Sequence, residues 1–245
     1  MTRLSVNLNK IALIRNSRGG NLPDLIKAAR DCESFGAQGI TVHPRPDQRH
    51  IRYSDIPLLK SAVTTEFNIE GYPSKEFVEM VVNHPPHQVT LVPDPPGALT
   101  SDHGWDTVRQ YSFLKQVLAH FKSVGIRTSL FVDADINAVR GAADAGADRV
   151  ELYTGPYAYN FSQDRQAAVN PHMLAAIEAK KLGLGLNAGH DLNLKNLEYY
   201  CLNVPDLKEV SIGHALICDA LYQGLEKTIQ LYLSQLSNQD NKRLP

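Results

Sequence analysis

The stretch GITVHPRPDQRH, Gly39 to His50, sets side chains that can move protons beside side chains that can hold anions. It enters as a dry strand, since Ile40, Thr41 and Val42 are β-branched and uncharged. The character then changes within one residue. His43, Arg45, Arg49 and His50 follow, while Pro44 and Pro46 forbid further ladder pairing. An α/β enzyme presents reactive groups in this way at the carboxyl ends of its strands, although a polar loop capping an ordinary strand would read the same from this segment alone. Similar strand ends recur along the chain. Asn7, Asn9 and Lys10 follow the first apolar segment, Glu70 closes the third, and Asp94 and Thr100 follow the fourth. Asp133 and Asp135, then Glu151 and Thr154, continue the series. Asn187, Gly189 and His190, and lastly Gly213 and His214, complete it.

The chemistry these residues support is proton transfer on anionic substrates. Imidazoles titrate near neutrality, and burial can raise a carboxyl toward the same range. His43, Glu70 and His190 are therefore candidate acids and bases. Arg18, Arg45 and the neighbourhood of His50 supply positive charge for phosphate or carboxylate. The segments LNAGHD, from Leu186, and SIGHA, from Ser211, each put Gly between a strand and a helix. Free backbone N–H groups and a helix N-terminus at such a turn favour an anion, and Gly lets the backbone come close to it. No metal is expected, because His43, His190 and His214 lie on separate strands with no HxH or HExxH spacing. Nucleophilic acyl transfer finds neither a GxSxG elbow nor a Cys beside a His.

These groups need a scaffold that brings them together. Eight strand candidates serve: Leu4–Leu8, Gly39–His43, Phe67–Glu70, Gln88–Pro93, Thr128–Asp133, Arg149–Tyr153, Gly183–Asn187 and Glu209–Ile212. Helical patterns separate most of them, and several helices end at a Gly (Gly36, Gly125, Gly146) just before the next strand. Asp24 with Pro23, Ser54, Ser74, Asp135 and Asn170-Pro171 mark helix starts. Trp105–Val124 and Ala215–Leu236 read as two long helices, and 238–245 as a polar, fraying tail. Two irregular stretches, Pro93–Gly104 and Thr154–Asn170, have the length of lids or binding loops. Eight strands alternating with helices in 245 residues predict one α/β domain spanning 1–245, a closed (β/α)₈ TIM barrel.

Composition narrows the partners. A net charge of −1 gives no footprint for nucleic acid, and no apolar run approaches a membrane span. No signal-peptide core is present, and Cys32, Cys201 and Cys218 are far apart without a CxxC, so buried free thiols in a cytoplasmic protein are expected.

The chain resembles the pyridoxine 5′-phosphate synthase family of the deoxyxylulose-dependent vitamin B6 pathway. The carriers are SVNLNKIALIRNSRGG from Ser5, GITVHPRPDQRHI from Gly39, FNIEG from Phe67, SLFVDAD from Ser129, VELYTGPYA from Val150, LNAGHDL from Leu186 and SIGHALI from Ser211. The resemblance covers essentially the whole chain. It implies a barrel with additional helices that assembles into homo-octamers. It implies condensation of 3-amino-2-oxopropyl phosphate with 1-deoxy-D-xylulose 5-phosphate to pyridoxine 5′-phosphate, phosphate and water, with no metal or organic cofactor. His43 and Glu70 would accept protons and His190 would donate one. Asn7, Arg18, Asp191, Gly213 and His214 would hold the aminoketone phosphate; Arg45, His50 and Thr100 would hold the deoxyxylulose phosphate, with Glu151 assisting in the site. Two departures stand out. Asn9-Lys10 occupy the place of a common Asp-His expected to touch the deoxyxylulose phosphate, and Asp191 replaces a frequent Gly. Two other readings stay open: another phosphate-handling barrel, such as an isomerase or an indole- or pterin-forming synthase, and a non-catalytic barrel that binds a phosphometabolite.

Overall fold

Apolar and polar residues alternate along most strands, and that alternation decides which face meets the helices. β1 (Arg3–Asn7) reads RLSVN, β3 (Glu66–Gly71) EFNIEG and β6 (Arg149–Tyr153) RVELY. With β2 (Gly39–Val42), β4 (Gln88–Leu91), β5 (Arg127–Val132), β7 (Gly185–Gly189) and β8 (Leu207–Ile212) they pair in chain order, all parallel. β1 also pairs with β8, Ser5 opposite Ser211, which closes the barrel. The computed structural model describes residues 1–94 and 101–242, with side chains through 237.

Leu4, Val6, Phe67, Ile69, Val150 and Leu152 face outward and are buried beneath the helices. Each such side chain contributes roughly 1.5–3 kcal/mol relative to exposure. The inward set is polar, and contacts that skip a strand identify it. Asn7 on β1 reaches Glu70 on β3, while Arg127 on β5 and Arg149 on β6 both pair with Glu66 on β3. Arg3 joins the same cluster, 2.8 Å from Glu66 and 3.9 Å from Glu209. Above it, Ser5, Thr41, Asn68 and Thr90 form a hydrogen-bonded chain. Buried ion pairs of this kind add little net stability, but breaking one by removing a partner is costly. The charged cluster thus fills the barrel at the N-terminal ends of its strands, and the neutral hydrogen-bonded layer separates it from the mouth.

Eleven helices are described: α1 (Asn9–Asn16), α2 (Leu25–Ser34), α3 (Asp55–Ala62), α4 (Lys75–Asn83), α5 (Tyr111–Ser123), α6 (Ile136–Asp144), α7 (Gly155–Asn160), α8 (Arg165–Lys181), α9 (Leu197–Asn203), α10 (His214–Gln223) and α11 (Leu225–Lys242). Asp24, Ser74 and Asp135 cap their helices through the side chain as expected; Ser54 makes no such bond. Gly36, Gly125 and Gly146 take positive φ after α2, α5 and α6, the backbone sign that turns a helix back to the sheet.

The structure corrects five readings. The helix expected over Trp105–Val124 starts only at Tyr111, because Trp105 is held in the core by its N–H on Phe131 O at 2.9 Å and its Nε1 on Leu91 O at 2.8 Å. The long final helix breaks at Gly224 (φ +82) into α10 and α11, and α11 continues to Lys242 through part of the stretch assigned to a tail. Asn170-Pro171 lies inside α8, whose cap is Asp164, accepting from Gln166 and Ala167 N–H. The irregular stretch from Thr154 contains α7 and the start of α8. Cys218 is exposed, and its Sγ lies 3.7 Å from His214 Nε2, one helical turn away on α10. Among the described residues, no helix is long and apolar enough to cross a membrane.

Candidate active site

Glu70, second from last on β3, forms the floor of the barrel mouth. Its Oε2 accepts from Asn7 Nδ2 at 3.3 Å, and the Ser211 hydroxyl donates to the same carboxylate. Burial pushes the Glu70 carboxyl up to about 8; Asp94 and Glu209 add to the rise, while Arg45 and Ser211 oppose it. Glu151, on β6, is also raised well above the carboxylate range, by burial first and then by Glu70 and Glu209. Glu151 Oε2 has no hydrogen-bond partner, and Oε1 lies 2.1 Å from where a Cβ on Gly189 would stand. Two acids coupled across one mouth, Glu151 buried and Glu70 half-buried, cannot both ionise cheaply, so the pair holds protons at neutral pH.

One wall rises from β1 and β2. Asn9 Oδ1 accepts from His43 N at 2.9 Å, and Asn9 N donates to Asn7 Oδ1 at 3.0 Å, so Asn9 staples the two strand ends together. The His43 ring meets the His50 ring edge-on, with centroids 6.1 Å apart. Burial, then the charge of Arg45, holds His43 well below its ordinary range and brings His50 down to about 4; Lys10 on α1 adds to the effect on His50. Both imidazoles are neutral. His50 Nδ1 accepts from Ile51 N at 2.9 Å, which puts the ring proton on Nε2. Arg45 is ion-paired with Asp94, which also accepts from Ser101 Oγ at 2.7 Å. A cavity of about 100 Å³ adjoins this pair, lined by Pro44, Arg49 and Tyr72 among others. α1 is braced beneath by Arg15, whose two terminal nitrogens reach Asp55 at 2.7 and 2.9 Å.

The facing wall comes from β6, β7 and β8. His190 and Asp191 both have positive φ, +80 and +58. The Thr154 hydroxyl donates to Gly189 O at 2.8 Å and also to His190 O, and the Tyr153 ring meets the His190 ring edge-on at 5.4 Å. Gly213 brings bare backbone against Asn7, whose Cβ would be 3.0 Å from any Cβ added there. α10 begins at the next residue, His214, so its free N–H groups open beside the mouth, an anion-favouring end.

Asn7, Asn9, Lys10, His43, Arg45, His50, Glu70, Glu151 and Gly213 are thus joined by contacts or direct electrostatic coupling. His190, Asp191 and His214 connect to them through Gly189, which packs on Glu151 and Ser211. Arg18 sits exposed in the turn after α1, and Thr100 lies outside the described residues. Ser211, Tyr153 and the Arg45–Asp94 pairing were missed from sequence. For Ser211 and Tyr153 a signal existed: each is the polar member of an alternating strand. His172, which had no foreseeable partner, is buried with Nδ1 3.0 Å from Tyr200 Oη, beside a second cavity of about 270 Å³ behind Tyr153. No cluster of three or more potential metal ligands occurs among the described residues.

Residues 4–238 match the family model of the pyridoxal phosphate biosynthesis protein PdxJ. The chain is 64% identical over 236 residues to a pyridoxine 5′-phosphate synthase of Cytophaga hutchinsonii, covering 96% of this chain and 99% of that one. It is 62% identical over 232 residues to the synthase of Bacteroides fragilis, covering 95% and 98%. Among solved structures it resembles 3-keto-L-gulonate-6-phosphate decarboxylase of Vibrio cholerae (TM-score 0.66, 9% identity, 100% and 99% coverage). Phosphoribosylanthranilate isomerase of Thermotoga maritima is comparable (TM-score 0.62, 11% identity, 97% and 100% coverage). At those identities the structural likeness speaks for the barrel alone.

Proposed function

The chain belongs to the family of the pyridoxal phosphate biosynthesis protein PdxJ, and we propose that its barrel mouth condenses 3-amino-2-oxopropyl phosphate with 1-deoxy-D-xylulose 5-phosphate. The product is pyridoxine 5′-phosphate. One phosphate leaves as inorganic phosphate, and water leaves as the ring closes. The observation that carries this reading is the Glu70 carboxyl, raised to about 8 between Asn7 and Ser211 in a mouth walled by neutral His43 and by His190.

An ammonium beside a carbonyl has an acidity near that of an α-amino group, about 8. Glu70 matches it, so proton transfer from the incoming ammonium to the carboxylate costs little and frees the amine to attack the ketone. The arriving positive charge first drives the proton that Glu70 holds at rest out to solvent, leaving the carboxylate that accepts from the ammonium. His43, neutral because it is buried beside Arg45, accepts a proton from carbon or oxygen during the later rearrangements. His190 donates one to a departing oxygen. The N–H groups of Asp191, Gly213 and His214, with Asn7 and Arg18, hold the aminoketone phosphate. Arg45, His50 and Thr100 hold the deoxyxylulose phosphate, with Asn9 and Lys10 at its edge and Glu151 exchanging protons with Glu70. On the family resemblance the protein works in the cytoplasm as a homo-octamer, and the exposed apolar side chains of Leu22, Leu221 and Tyr222 suit association between copies.

Mixing the purified protein with both substrates tests the proposal. Pyridoxine 5′-phosphate must form with both present and must not form when either is withheld. Turnover of one phosphorylated sugar alone would favour an isomerase instead.

A further inference from the structure

Asp191 stands at φ +58, a conformation that costs an L-residue energy unless the side chain does something in return. What it does is visible: Asp191 Oδ2 lies 2.8 Å from His190 Nδ1. That hydrogen bond holds the Asp191 carboxyl below its usual range, so at neutral pH it is ionised and can only accept. The proton must therefore be on Nδ1.

We propose that Asp191 is a positioning residue for His190, which fixes the ring proton on Nδ1 and turns Nε2 toward the substrates. The proposal rests on the reading of His190 as the proton donor. His190 is then held at three points: the Thr154 hydroxyl donates to its backbone carbonyl, the Tyr153 ring meets the imidazole edge-on, and Asp191 accepts from Nδ1. Asp191 is itself anchored, since its carbonyl accepts from Asn193 Nδ2 at 3.2 Å and Asn196 Nδ2 at 3.3 Å. The charged and titratable groups facing this dyad are His214 from α10 and Asp102 from the loop after β4, with Asp133 reaching Tyr153. To donate, the ring carries a second proton on Nε2 beside the Asp191 carboxylate; when Nε2 gives that proton to a substrate oxygen, the ring is left neutral with Nδ1–H still on the carboxylate.

The test compares D191N with D191G. Asn tolerates positive φ, but its amide can donate to Nδ1 and force the proton onto Nε2. Nitrogen-15 NMR of the His190 ring should show Nδ1–H in the native protein and its loss in D191N. The kcat of D191N should fall ~10²-fold or more, further than that of D191G, with KM for the aminoketone phosphate within about threefold. A rise in KM with kcat kept would make Asp191 a substrate ligand and overturn the proposal. So would native kcat in both variants, or Nδ1–H persisting in D191N. If D191N does not fold, D191G, whose backbone suits this turn, should show a mixture of Nδ1–H and Nε2–H in place of Nδ1–H alone, and Nδ1–H persisting alone in D191G would overturn the proposal. Because the NMR signal needs no turnover, a native protein that makes no pyridoxine 5′-phosphate would sink the functional reading and leave this test standing.

Discussion

Replacing Glu70 by Gln should slow the enzyme and stabilise the fold, and the second effect should depend on pH. An acid whose folded value is raised to about 8 from the ordinary 4.5 binds its proton more tightly in the native state than in the unfolded chain. Between those limits the native protein holds more protons, so its stability falls as pH rises through the window and levels off above it. Each pH unit across the interval is worth ~1.4 kcal/mol, which bounds the native protein's loss at about 5 kcal/mol. Sharing of protons with Glu151 and relaxation around the charge reduce the expected value to roughly 2–4 kcal/mol. Gln keeps the size and can still accept from Asn7, but it never ionises. Urea unfolding of the unliganded proteins at pH 5 and pH 9 measures it. The two should be nearly equal at pH 5, and Glu70→Gln should be the more stable at pH 9, while its kcat falls by ~10²-fold or more. A pH-independent difference, or a native protein more stable than the variant at pH 9, would refute the reasoning.

Arg45→Ala should raise KM for the deoxyxylulose phosphate about tenfold or more, and should lower Tm because Asp94 is left charged and buried, an effect of ~3–5 kcal/mol. Steady-state kinetics and thermal melting separate the two. Gly189→Ala should cost ~1–3 kcal/mol in denaturant and depress activity, since its methyl would stand 2.1 Å from Glu151 Oε1. Arg15→Met should destabilise by ~3–5 kcal/mol, for it strands Asp55 and loosens the His50 carbonyl that Arg15 Nη2 binds at 3.2 Å; equilibrium unfolding reads the first and KM the second.

The barrel was legible because eight strands and their Gly-terminated helices follow one another with little interruption. The mouth was legible because His43, Glu70 and Gly213 are polar or bare residues placed where apolar strands stop. What escaped has physical reasons. Trp105 looked like the first residue of a helix, but its indole finds an acceptor on β4, a long-range bond that no local pattern announces. Asn170-Pro171 carries a strong local start signal, which the Asp164 cap six residues earlier overrides. The polar interior is written in the strands: RLSVN, EFNIEG and RVELY alternate, whereas strands buried between two apolar layers usually do not. That pattern turns Ser211 into the barrel interior, the side on which Glu70 also lies. The pairing of Asp191 with His190 depends on two successive residues at positive φ, and nothing in the letters demands it.

Phosphorus-31 NMR of both substrates with the native protein and with Glu70→Gln addresses the account at its root. The native protein should convert the two phosphomonoester signals into one new ester and one equivalent of inorganic phosphate, only when both substrates are present, and Glu70→Gln should do so ~10²-fold more slowly or slower still. Phosphate freed from one substrate alone, or released by Glu70→Gln at the native rate, would contradict it.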